Sequence, residues 1–152
     1  LAITHENGSL VARARSRGWG CGLSITPNLG PRLADASVSA PGAQRLVIRL
    51  QAPEGLQFGP TLNESGVGPT ESQTFDGLNG ADGEAYVHAP ITARAGLQDY
   101  VFPLADFELT PHYGNQRGNF SVDVQAVAQV GLNVTSHPGE EAVVSIESVR
   151  FE

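Results

Sequence analysis

Glu84, Tyr86 and His88 alternate with Ala85, Val87 and Ala89 in the segment from Glu84 to Ile91. Successive side chains of a β-strand point to opposite faces, so the spacing predicts a strand. Its small apolar residues are expected to face inward, leaving a carboxylate, a phenol ring and an imidazole outward. A ring with a polar tip can stack on the C–H face of a sugar while its neighbours exchange hydrogen bonds with hydroxyls. The same three residues also suit an ordinary solvated strand face, because Tyr has high β-propensity.

Arg45 and Arg49 share the outward face of a second segment, Arg45 to Gln51, in which Leu46, Ile48 and Leu50 form the apolar face. Arg13 and Arg15 share a face earlier in the chain. A planar guanidinium grips vicinal hydroxyls or carboxylates in a fork and stacks on rings. Solvated cations balancing an acidic surface are the plainer account. Trp19, the single Trp, is either a core plug or a platform for a ring.

Metal chemistry has a narrower basis. His5, His88, His112 and His137 lack ligand spacing, and tetrahedral zinc needs clustered His or Cys donors. Calcium asks only for carboxylates and carbonyls. Asp76, Asp82 and Glu84, or Glu6 and Glu147, can supply them, although there is no helix-flanked calcium-loop pattern. Catalytic signatures are missing as well: no nucleophile elbow, no phosphate-binding loop, no dinucleotide fingerprint and no close carboxylate pair. A small polysaccharide lyase or hydrolase stays open, because a lyase can work with Tyr, His, Arg and Gln.

The elements that must position these groups are strands. Eighteen Gly and ten Pro are spread between apolar runs, and no long stretch repeats apolar residues every three to four positions. Leu1–Thr4 and Leu10–Arg17 read as a hairpin across Asn7-Gly8. Strands are expected at Trp19–Thr26, Arg45–Gln51 and Phe58–Glu64, where Pro60 implies an edge or a bulge. Further strands follow at Glu84–Ile91, Leu97–Phe107 with Phe107 tucked inward, Val130–Val134 and Ala142–Phe151. Val122–Gln129 extends a strand or forms one helical turn capped by Asp123. Ser65–Gly83 is a long loop holding Phe75, and loops of that length are usually functional or disordered. Many short strands without intervening helices predict an all-β fold, a two-sheet antiparallel β-sandwich or jelly roll. At 152 residues, residues 1–152 are expected to share one core.

Composition excludes several partners. Formal charge is −7 and all nine basic residues are Arg, which argues against nucleic acid. No apolar run reaches the roughly 18–20 residues of a membrane span, so no membrane partner is expected. The single Cys21 cannot close an internal disulfide. Sequons at Asn7, Asn63, Asn119 and Asn133 fit the Asn, Ser and Thr content of a polar β-protein without any glycan.

Several segments together resemble the galactose-binding-like β-sandwich of bacterial carbohydrate-binding modules, family 11 among them. They are Glu6-Asn7-Gly8-Ser9-Leu10 leading to Gly18-Trp19, the run Gln98 to Phe107, Val122 to Val127 leading into Val130-Gly131-Leu132, and the ending Val144 to Phe151. Leu97 stands where relatives often carry an aromatic. The resemblance implies a non-catalytic, monomeric, secreted module attached to a glycoside hydrolase catalytic domain. Its ligand would be one soluble plant or algal polysaccharide chain, β-glucan first, lying in a groove across one sheet. Such modules often hold one structural calcium ion through an opening-strand acid and a late Asp, where Glu147 stands here. On this reading Tyr86 stacks, Trp19 is a possible second platform, and Glu84, His88, Arg45, Arg49, Asn63 and Asn133 address hydroxyls. The reading requires the strands carrying Tyr86 and Arg49 to face one groove. A third alternative is a structural sandwich packing on a catalytic partner through exposed apolar groups around Phe75 and Tyr113.

Overall fold

A computed structural model describes residues 2–6, 8–15, 21–25, 41–64, 83–111, 113–135 and 140–152. Its strands are β1 Ala2–Glu6, β2 Ser9–Arg15, β3 Cys21–Ile25, β4 Arg45–Gln51, β5 Gln57–Glu64 and β6 Ala85–Val87. They continue with β7 Ile91–Thr92, β8 Leu97–Pro103, β9 Glu108–Leu109, β10 Val127–Thr135 and β11 Glu141–Phe151. The strand pairings among the described residues are antiparallel, and they build two sheets, β1-β2-β11-β4-β8 and β3-β10-β5-β6-β9 with β7 added beside β5. The expected all-β sandwich is the fold observed.

Period-two patterning accounts for the core. Leu46, Ile48 and Leu50 of β4 and Val130, Leu132 and Val134 of β10 are all buried. Phe58 meets Tyr100 edge-on at 5.0 Å between ring centroids and Phe102 at 6.4 Å, tying β5 to β8 across the two sheets. Edge-to-face ring pairs add about 0.5–1.5 kcal/mol beyond their area. In the first hairpin Glu6 pairs with Ser9 around a two-residue turn, with Gly8 at φ 83°; such turns need positive φ.

Two predicted strands prove to be interrupted. β5 is an interior strand, but opposite Gly59 and Pro60 its partner bulges through His88, Ala89 and Pro90 between β6 and β7. Pro60 therefore marks a bulge, in the neighbouring chain segment, and not an edge. Gly59 is required there, since a Cβ would lie 2.7 Å from the His88 carbonyl oxygen. β8 stops at Pro103 in a 3₁₀ turn over Leu104–Asp106, after which Phe107 turns into the core. A second 3₁₀ turn, Val124–Ala126, precedes β10, and the Asp123 side chain makes no capping hydrogen bond to it. That carboxylate instead accepts from the Asn119 side-chain amide at 2.8 Å.

Candidate functional site

The segment expected to offer Glu84, Tyr86 and His88 to solvent buries Glu84 and Tyr86 in the interior and leaves His88 half-buried. Tyr86 is 2% exposed and Glu84 0%. The Tyr86 hydroxyl donates to one Glu84 carboxylate oxygen at 2.5 Å, and the Phe120 backbone N–H donates to the other at 3.1 Å. His88 packs its ring edgewise on Phe102 and Phe107, at 5.0 and 5.3 Å. None of the three forms an outward stacking face. The physical reason lies at Ala85 and its glycine neighbour Gly83. Their side of the strand is narrow because Gly114 lies against it, so close that a Cβ there would be 2.8 Å from the Ala85 nitrogen. Small residues mark that close approach, and the large ring goes to the core.

The arginines lie elsewhere. Arg45 and Arg49 belong to β4 of the five-stranded sheet, whereas Tyr86 belongs to the other sheet, so the two strands do not share a groove. On the outer face of the five-stranded sheet an unbroken ion lattice runs Glu147–Arg49–Asp99–Arg150–Glu152–Arg45. Its N···O distances are 2.9, 3.3, 3.4, 2.7 and 2.8 Å. The hydrogen bonds that Arg49 donates to Glu147 and then to Asp99 raise its pKa above the ordinary value, and the one that Arg150 donates to Glu152 does the same for Arg150. Reciprocally, the Arg150 hydrogen bond holds Glu152 below the ordinary carboxylate value. Three cations meet three anions, so the lattice is locally neutral. Val47, in register between Val101 and Arg150, is buried on this face, where arginine stems can cover it.

Beside the lattice, the middle of the same sheet is hollowed. Val11 of β2, Ser145 of β11 and Gln51 of β4 stand in register and, with Val143 and Glu6, line a depression of about 410 Å³. The Arg13–Glu6 pair, 3.3 Å apart, stands on one side. Arg49, two residues along β4 from Gln51 and therefore on the same face, stands on the other with Glu147. Arg49 donates through Nε and Nη1, which leaves the Nη2 donors of its five-donor fork for a ligand.

Asn63 and Asn133 lie on the outer face of the six-stranded sheet, Asn63 donating to the Gln129 side-chain oxygen at 2.6 Å and Asn133 exposed opposite Gly22. They cannot join a site on the arginine face. Trp19, Phe75, Asp76, Asp82 and His112 lie outside the described residues. Among the described residues no cluster of three His, Cys, Asp or Glu could hold a metal. Glu6 and Glu147 pair with Arg13 and Arg49, and Glu84 accepts from Tyr86 and the Phe120 N–H.

A further site had no strong sequence signal. Phe120 is 65% exposed and has φ 60°, a positive value found for no other non-glycine among the described residues. It stands over a groove of about 470 Å³ at one end of the sandwich, where Gln44, Leu104 and Ala105 from the β4/β8 side face Tyr86 and Phe107 from the other sheet. The loop carrying it is pinned by two buried glutamates. Glu84 accepts the Phe120 N–H, and Glu64 accepts the N–H groups of Asp123 at 2.9 Å and Glu84 at 3.2 Å. Tyr113, expected as part of an apolar patch, is 40% exposed.

No protein-family model matches the chain, and no curated protein matches its sequence. Solved structures do match its shape. A family 11 carbohydrate-binding module from Clostridium thermocellum, in complex with a β-1,3-1,4-mixed-linked tetrasaccharide, superposes with TM-score 0.57 and 10% identity over 99% of this chain and 86% of that one. The chain shares the β-sandwich fold of these modules. An agarase, AgWH50C, matches with TM-score 0.63 and 12% identity, and PfGH50B with 0.60 and 12%, each over 99% of this chain. The chain spans 21% of the length of each of those two proteins.

Proposed function

We propose that this domain is a non-catalytic carbohydrate-binding module that holds one soluble, neutral polysaccharide chain across the outer face of the five-stranded sheet. The observation that carries the reading is the depression at Val11, Ser145 and Gln51, bracketed by two arginine–carboxylate pairs. Ion pairing fixes the guanidinium planes in advance, which reduces the ordering cost of binding. Their remaining N–H groups donate to hydroxyls, and the carboxylates accept from them. The lattice is neutral, so it favours an uncharged glycan over a polyuronate.

The fold likeness to a module solved with a mixed-linked tetrasaccharide supports a β-glucan as the first ligand to try. Likeness to a fifth of an agarase, AgWH50C, supports agarose as the second and supports covalent linkage to a glycoside hydrolase that the module brings to its substrate; on this reading the module is extracellular and monomeric. Affinity electrophoresis through gels containing mixed-linked glucan, agarose, mannan, xylan or a polyuronate tests the reading. Retardation in a neutral gel is expected; unretarded migration in all of them overturns it. Release of reducing or unsaturated ends by the isolated domain would overturn the non-catalytic part.

A further inference from the structure

We propose a second carbohydrate subsite at the end of the sandwich, where Phe120 serves as the stacking platform for a single pyranose ring. The inference rests on the carbohydrate reading above but uses a different surface, built from different elements.

Three observations converge on it. The first is conformation: a positive φ is a genuine outlier for a bulky residue, and such strain persists only where the surroundings over-determine it. Phe120 adopts φ 60° while the residue is 65% exposed. Core packing therefore does not account for the strain. The second is anchoring. Phe120 N–H is held by the buried Glu84, Asp123 N–H by the buried Glu64, and Ser121 N–H by the Asn119 side-chain oxygen at 2.7 Å. Three backbone N–H groups within four residues are thus fixed by side-chain acceptors, so the platform is set before any ligand arrives.

The third is shape. The groove beside Phe120 measures about 470 Å³, and a second of about 250 Å³ shares the wall residues Ala43 and Val122 with it. The larger lies within the ordinary range for small-ligand clefts, about 300–1,000 Å³. Apolar wall from Leu104 and Phe107 is combined with polar groups from Gln44 and Ser121. An exposed ring above a half-apolar groove with amide and hydroxyl groups at its rim matches a β-linked sugar, which has an apolar C–H face and equatorial hydroxyls. None of the residues lining the groove belongs to the arginine lattice, although Gln44 adjoins its Arg45–Glu152 end.

The test is a titration of the ¹⁵N-labelled domain with the β-1,3-1,4-mixed-linked tetrasaccharide and, separately, an agarose-derived tetrasaccharide, following backbone amide shifts. Saturable shifts at Phe120, Ser121, Val122 and Gln44 are expected with at least one sugar. Phe120→Gly removes the ring while suiting the positive φ, so the fold is retained; binding at these amides should weaken roughly 2- to 10-fold. Phe120→Tyr, which keeps a ring, should hold most of the affinity. Shifts at Ser145 and Gln51 with none at Phe120 would overturn the end subsite and leave the sheet-face reading standing. Shifts confined to Phe120 and its neighbours would do the reverse. Equal affinity in wild type and Phe120→Gly would also overturn the proposal, by removing the ring from the binding surface.

Discussion

The Tyr86 hydroxyl donates to Glu84 across 2.5 Å, and both residues are buried. Burying a carboxylate is costly unless donors surround it, and the tyrosine is one of those donors. Tyr86→Phe keeps the ring and its packing but withdraws the hydroxyl. A hydrogen bond to a charged group is worth about 1.5–3 kcal/mol, so the variant should lose that much stability. Urea unfolding should show a lower midpoint at unchanged m-value; an unchanged midpoint would mean that Glu84 does not depend on this donor.

Glycine positions separate two sources of strain. Gly42 has φ 82° with nothing within 4 Å of a built Cβ, whereas Gly114 has φ 71° and a built Cβ 2.8 Å from the Ala85 nitrogen. Gly42→Ala should cost only the left-handed penalty, about 1–2 kcal/mol. Gly114→Ala adds a clash against the backbone of β6, with overpacking of about 1–3 kcal/mol more. If calorimetry finds the two variants equally destabilised, the close approach of the 113–118 segment to β6 is wrong.

Much of this architecture was legible because period-two patterning is a direct imprint of a two-faced sheet. Arg45–Gln51 was bounded to the residue, since Leu46, Ile48 and Leu50 leave one register for burial. The faces of the strand at Glu84–Val87 were not legible, because alternation tells that two faces differ and not which is inside. Tyr86 could be inward only with a partner for its hydroxyl, and that partner, Glu84, would itself be an improbable core residue without Phe120 N–H and Tyr86. Such reciprocal satisfaction is a three-dimensional fact. Phe120 was hidden for a similar reason: nothing in Gly118-Asn119-Phe120-Ser121 announces a positive φ on the phenylalanine. Assigning Arg49 and Tyr86 to one groove failed because sheet membership depends on strand order, which chain order does not specify.

The ion lattice makes stability depend on pH in a defined direction. Arg150 and Arg45 hold the Glu152 carboxyl below its ordinary 4.5, the Arg150 hydrogen bond being the larger cause. A carboxyl depressed in the folded state contributes stability above its unfolded pKa, and that contribution disappears as pH falls through the lower folded value. The arginines stay charged throughout. Thermal midpoints should therefore fall, by a small amount for so exposed a pair, as pH drops below the ordinary carboxylate range, and Glu152→Gln should flatten part of that fall. About 1 M salt, which shortens screening to about 3 Å, should shrink the difference between the two proteins. A Glu152→Gln profile parallel to the wild type would show that this exposed carboxyl contributes nothing.

Arg49 offers the sharpest separation between holding the fold and holding a ligand. Its guanidinium spans Glu147 through Nε and Asp99 through Nη1, a geometry that a point-charge ammonium does not reproduce. Lysine keeps the positive charge that Glu147 and Asp99 face, and the exposed pairs themselves contribute little, so Arg49→Lys should barely move the unfolding midpoint. Binding is different, because loss of the fork removes both the fixed plane and the Nη2 donors beside the depression. Retardation in the gel that holds the wild type should weaken, with affinity down about 2- to 10-fold. Arg45→Lys, at the far end of the lattice and beyond the depression, should weaken it less. Equal effects from the two substitutions would place the polysaccharide along the whole lattice instead of in the hollow at Ser145, and no effect from either would remove the five-stranded sheet from the binding surface.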